Sequence, residues 1–289
     1  LILMKRLMKL LFIPLLAFFS CTSQVDEIWD NGKLPQDEGN TSRKEELHPV
    51  GVRFSQSSIK TFAAEGISEI GIYVYMSDSL IYGETQSLVH GAVEVPLPLG
   101  ENLQTFVVAN ADEVSGADKL STTVIRQKDN MQKPVYISGI MGFTSDNSVK
   151  SLDIELKRLM GQAVFSPKET AEELDGITHF DALDITFTNV GVAYNVKDEK
   201  AVLEDVTVRT DRTAGFEAFV YSFPTENNGS RTSVDVTYLK EGVEVNRTNG
   251  ALDTGIAFKS SKRSVVHMEI LNEDWVETGW EDITEETEL

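Results

Sequence analysis

The stretch GISEIGIYVY, residues 66–75, sets the architecture. Ile70, Ile72 and Val74 fall on every second position and alternate with Gly71, Tyr73 and Tyr75. A repeat of two is strand periodicity, because successive side chains of a β-strand point to opposite faces. The same repeat runs outward in both directions. Val50, Val52 and Phe54 alternate with Gly51, Arg53 and Ser55 before it; Leu152, Ile154 and Leu156 alternate with Asp153, Glu155 and Lys157 after it. Ile185 and Phe187, Val206 and Val208, Phe219 and Tyr221, and Val234, Val236 and Tyr238 continue the theme, and Val266, Met268 and Ile270 close it. Lys240-Glu241-Gly242 before Val243 and Val245 predicts a hairpin. Phe106-Val107-Val108-Ala109 breaks the alternation with four apolar residues in a row, the pattern of a strand covered on both faces.

Helix signals are few. Ser166-Pro167-Lys168-Glu169 offers a cap, a proline for the first turn and a capping-box glutamate, with Gly176 as the stop, and predicts a short surface helix. Residues 117–127 give a weaker helical pattern. Many short strands with turn signals between them argue for an all-β chain of two tandem β-sandwich domains with few short helices. The N-terminal sandwich is expected over residues 49–149 and the C-terminal one over 150–289, with the boundary between Ser148 and Ser151.

The first 21 residues carry a different signal. Lys5, Arg6 and Lys9 precede the apolar run Leu10 to Phe19, which is too short for a mature membrane span. Residues 1–20 therefore read as a signal peptide starting at Met4, and the residue after the cut is Cys21, the only cysteine. A lone cysteine forms no internal disulfide, so its position predicts lipidation. Residues 21–48 are polar and acidic, broken by Gly32, Pro35, Gly39 and Asn40, and read as a flexible tether. The anchor implies attachment to a membrane through the lipid.

Of the 289 residues 41% are hydrophobic, enough for packed cores. The formal charge is −20, and losing the three cations of the signal makes it more negative still. Such a surface repels nucleic acid, which is excluded as a partner. No nucleophile elbow, zinc helix, phosphate loop or dinucleotide fingerprint occurs, and His48, His90, His179 and His267 stand at no metal-ligand spacing. The chain is read as a non-enzyme without a cofactor or metal. Trp275 and Trp280 are candidates for stacking on sugar rings, although a spacing of five puts them on opposite faces of a straight strand, and packing is the plainer reading.

Five segments in order resemble the fimbrillin superfamily of Bacteroidales, surface lipoproteins that build, anchor or decorate fimbriae. They are GISEIGIYVY (66–75), PLGENLQTFVVANADEV (98–114), LDIELKRLMGQAV (152–164), VYSFPTENNG (220–229) and HMEILNEDWVETGW (267–280). The matching features are the early tyrosine-bearing strand, the strand ending at Asn110, a strand carrying Arg158, and the Phe223-Pro224 step. Strand parity from Leu152 would aim Arg158 inward unless a bulge turns it out.

The resemblance implies two transthyretin-like sandwiches, a surface-exposed lipoprotein of the cell outer membrane or fimbrium, and assembly by strand exchange with other fimbrial subunits. Cleavage after an arginine would release the N-terminal segment, and Arg43 and Arg53 are the candidates. A cut after Arg43 frees the lipid, whereas one after Arg53 also removes Val50 and Val52. Val50, Val52 and Phe54 then mark the exchanged strand, residues 258–289 could donate one, and host or bacterial surface ligands are further possible partners. The competing expectation is a glycan-binding surface lipoprotein of a polysaccharide-uptake system. It requires at least two of Trp275, Trp280, Tyr73, Tyr75 and Tyr82 to lie coplanar and exposed.

Overall fold

The computed structural model describes residues 47–55, 58, 66–88, 92–127, 131–146, 148–149, 151–250 and 257–271. Eleven strands come first: β1 (Leu47–Phe54), β2 (Glu69–Met76), β3 (Ser79–Ser87), β4 (Ala92–Pro98), β5 (Gly100–Ala109), β6 (Glu113–Ser115), β7 (Val124–Arg126), β8 (Tyr136–Ile137), β9 (Met141–Ser145), β10 (Ser151–Ile154) and β11 (Lys157–Arg158). Then follow β12 (Gly161–Pro167), helix α1 (Ala171–Asp175), β13 (Ala182–Asn195), β14 (Lys200–Asp211), β15 (Ala218–Ser222), β16 (Val234–Lys240), β17 (Val243–Gly250) and β18 (Arg263–Met268). The chain is all-β, as its periodicity predicts.

Four sheets result. One is β10-β1-β4; facing it is β11-β8-β5-β2-β3, with β9 also on β5. Val52, Val95 and Ile154 of the first sheet share one buried cluster with Ile72, Val74 and Val107 of the second. The other two sheets are β15-β12-β18 and β17-β16-β13-β7-β6, with β14 along β13. Phe165 and Val220 of the former meet Ile185, Phe187 and Val236 of the latter in a second, larger cluster.

The run Phe106–Ala109 is covered on both sides. Val107 and Ala109 belong to the first cluster, Phe106 and Val108 to the second, and all four are at most 2% exposed. The central sheet of the first half is thus sealed by its own partner on one face and by the second half on the other. Residues 45–289 cluster into one compact unit.

Several expectations are corrected. The helix begins at Ala171, not at Pro167: Thr170 Oγ1 accepts from the Glu173 amide (3.3 Å) and Glu173 Oε2 accepts from the Thr170 amide (2.8 Å). Ser166 and Pro167 instead end β12, in parallel register with His267 and Met268, so ladder pairing overrides the local cap signal. Residues 117–127 hold a single 3-10 turn, Leu120–Thr122, followed by β7, which pairs with β13. β10 and β11, on the far side of the expected boundary, pair with β1 and β8. Arg158 is in β11 rather than on a continued β10, so the parity from Leu152 never reaches it, and it is partly exposed. On β15 the inward residues are Ala218, Val220 and Ser222, leaving Phe219 37% exposed and Tyr221 half-buried beside it. The hairpin at 240–243 is as read, with Glu241 and Gly242 both at positive φ (+52° and +80°), the type I′ geometry.

Candidate strand-exchange site

The residues singled out for exchange lie on β1, which is the middle strand of its sheet. It runs antiparallel to β4, with Val50 opposite Val95 and Val52 opposite Val93, and parallel to β10, with Val52 opposite Leu152 and Phe54 opposite Ile154. Val50, Val52 and Phe54 point into the first cluster and are at most 7% exposed. Each such side chain is worth about 1.5–3 kcal/mol relative to exposure. Withdrawing β1 would leave two unpaired backbone edges and an apolar groove between them, the requirement for strand addition.

The strand is unevenly held. β10 pairs only with Gly51–Phe54, and at the entry Pro49 stands opposite Pro96, so neither residue there can donate a ladder hydrogen bond. Leu47 is 57% exposed. His48 is the side-chain tie of this entry, its Nε2 lying 3.2 Å from Ser145 Oγ. Past the strand, the Ser55 amide donates to Ile154 O (3.0 Å), and Ser58 Oγ accepts from the Leu156 amide (2.9 Å).

Arg53 is exposed on the outer face, where Pro49, Gly51 and Glu94 also line an open hollow of about 580 Å³. Its peptide sits one residue before the strand end, with Ala92 and Asp153 as lateral neighbours. Cutting there requires this doubly paired end of β1 to leave both neighbours, with Phe54 drawn out of the core. Cys21, Arg43, Trp275 and Trp280 lie outside the described residues.

The tyrosines weighed for glycan stacking do not form an exposed platform. Tyr75 is buried, its hydroxyl 2.9 Å from Thr123 Oγ1, and Tyr82 is 9% exposed. Tyr73 stacks on Phe106, with centroids 5.0 Å apart and planes at 13°. Burial raises the pKa of all three phenols, so they stay neutral. On β15 the exposed Phe219 and the half-buried Tyr221 stand edge-on at 5.9 Å, which the parity expected for β15 concealed. Among the described residues no group of three or more His, Cys, Asp or Glu is placed to hold a metal ion, and no helix is long and apolar enough to cross a membrane.

No protein-family model and no curated protein sequence matches the chain. Solved structures do. A proposed polysaccharide-binding protein (DUF1812) from Bacteroides thetaiotaomicron VPI-5482 superimposes with a TM-score of 0.54 at 15% identity, covering 83% of this chain and 99% of that one. A proposed adhesin from Bacteroides ovatus ATCC 8483 gives 0.53 at 10% identity over 77% and 89%. Another, from Bacteroides thetaiotaomicron VPI-5482, gives 0.51 at 11% identity over 81% and 95%. At these identities the likeness establishes a shared fold.

Proposed function

We propose that this chain is a non-enzymatic fimbrial subunit, anchor or accessory adhesion lipoprotein of the outer bacterial surface, assembling with other fimbrial subunits by β-strand complementation. The observation that carries the reading is β1 itself. It is a core-lining strand at the N-terminal end of the described fold, unevenly zipped, with an exposed arginine at position 53 near its end. Cys21 would carry the lipid and residues 21–48 would form the tether. The fold shared with proteins described as adhesins supports the same class of role.

The test is mass spectrometry of the mature N-terminus, on material sheared from the cell surface and on material left in the membrane. A start after Arg53 in high-mass material is the expected result for a strand-exchanging subunit, and a start after Arg43 would mean release with β1 retained. A diacylated Cys21 as the sole N-terminus rules out the polymerising subunit and leaves the anchor.

A second reading, a glycan-binding surface lipoprotein, draws support from the fold shared with a protein described as polysaccharide-binding. Capture on a polysaccharide panel, lost on substitution of Trp275, Trp280 or Tyr221 by alanine, would favour it.

A further inference from the structure

A cleft of about 270 Å³ opens where the chain leaves β5 for β6, a small volume by the standard of ligand pockets. Its floor is Gly71, in the middle of β2. A Cβ at that position would stand 2.9 Å from Tyr73 Cε2 and 3.2 Å from Val108 Cγ1, so the ring of Tyr73 and any side chain at 71 exclude one another. One face of that ring is taken by Phe106. Its hydroxyl lies 3.5 Å from the Cβ position that Gly71 leaves empty, and both residues line the cleft. The phenol stays protonated because burial raises its pKa, so it presents a donor as well as an acceptor.

The lining also includes Asn110, held at φ +58° where β5 ends, and the acidic residues Glu69, Asp112 and Glu113. Among the described residues the side chains of Tyr73, Asn110, Glu69 and Glu113 make no hydrogen bond or ion pair. A half-buried hydroxyl, an amide-bearing residue and two exposed glutamates thus line one small space with no bond among the described residues. An amide and a hydroxyl offer both donor and acceptor, and carboxylates accept from hydroxyls through short charge-assisted bonds. That combination matches a ring bearing several hydroxyl groups. The carboxylates repel an anionic ring, and the volume admits one ring rather than a chain.

We propose that this cleft holds a single non-anionic sugar residue of a surface glycan, whose hydroxyls bond to Tyr73, Asn110, Glu69 and Glu113. The inference rests on the surface-adhesion reading only for the source of the glycan.

The test uses the full chain with Cys21→Ser to prevent lipidation. Methyl galactoside, methyl mannoside and N-acetylglucosamine serve as neutral probes, and glucuronic acid as the anionic one. Saturation-transfer NMR reports binding and amide shifts report its place. At least one neutral sugar is expected to bind, with shifts confined to the segments around Gly71, Asn110 and Glu113, while glucuronic acid stays silent. Tyr73→Phe removes a hydroxyl that bonds to none of the described residues, so it should leave the melting temperature unchanged and weaken the sugar roughly five- to tenfold, the worth of one hydrogen bond. Glu113→Gln, on an exposed side chain, should weaken it as well.

No shift in this region with any neutral sugar would overturn the proposal, as would equal binding by both variants. Glucuronic acid binding as well as the neutral probes would also overturn it. A silent cleft in a chain that is cut after Arg53 and polymerised would sink this inference and leave the assembly reading standing.

Discussion

At the scale of single residues, close approach explains what composition does not. Gly191 sits in β13 where a Cβ would meet Phe223 O at 2.6 Å and Ala201 Cβ at 3.0 Å. The approach is bonded at both ends: the Gly191 amide donates to Ser222 Oγ (2.8 Å), and the Phe223 amide donates to Gly191 O (2.9 Å). Gly191→Ala should therefore cost about 1–3 kcal/mol, as overpacking does, seen as a lower urea midpoint with the slope unchanged. The buried tyrosines set a different limit. Burial and the nearby Glu199 carboxylate push Tyr194 from 10.0 up to about 12. The folded state thus keeps its proton where the unfolded chain has lost it. The stability this confers is complete below about pH 10 and lost as pH rises towards 12. Urea midpoints measured from pH 9 to 11.5 should fall less steeply in Tyr194→Phe than in the parent chain; equal slopes would remove Tyr194 from the account.

At the scale of elements, β1 invites a direct test. Gly51 and Glu94 are register partners across β1 and β4, both off the core face. Gly51→Cys with Glu94→Cys should tie the strand to the sheet. If β1 is exchanged, the oxidised double variant stays unassembled even after a cut at Arg53, and reductant restores assembly; polymers that form regardless of oxidation would exclude β1 as the exchanged strand. The short helix is simpler: Thr170→Ala removes the side-chain half of its capping box, the acceptor for the Glu173 amide, and should cost about 1 kcal/mol. These two elements also show what the sequence could convey. The alternation at 50–54 was legible because β1 buries one face, and the run 106–109 because β5 buries two. The start of α1 and the inward face of β15 were not legible. Ser166-Pro167 is a sound local cap, but the β12–β18 pairing claims it, and Phe219 and Tyr221 are strong strand formers whose facing depends on the neighbour. The site followed the same rule: the buried residues of β1 could be read from their pattern, whereas the sugar cleft joins residues 71, 73, 110 and 113 through a crossing between sheets that no local pattern encodes.

At the scale of the whole molecule, the expectation of two successive sandwiches meets a chain whose halves share their parts. β6 and β7 come from the first half but extend the sheet of β13, through Tyr194 opposite Ile125. The crossing segment is bound on both sides: the Leu120 amide donates to Asp78 O (3.0 Å) and the Val196 amide to Thr123 O (3.1 Å). Gln132 Nε2 donates to Phe219 O (2.9 Å). Phe106, fully buried, stands in the same cluster as Phe165 and Val236. Neither half can open without stripping apolar surface from the other, so unfolding should be one cooperative event. Calorimetry of residues 45–289 is expected to give a single transition with calorimetric and van't Hoff enthalpies equal. Phe106→Ala, which removes about 3–5 kcal/mol of packing from the shared face, should lower that one midpoint without splitting it. Two resolved transitions, with only one moved by the Phe106 change, would instead mean that the halves are independent beads. The distinction bears on the proposed function: if the chain is a fibre subunit, the sealed central sheet would carry load between its two ends through a core rather than through a linker.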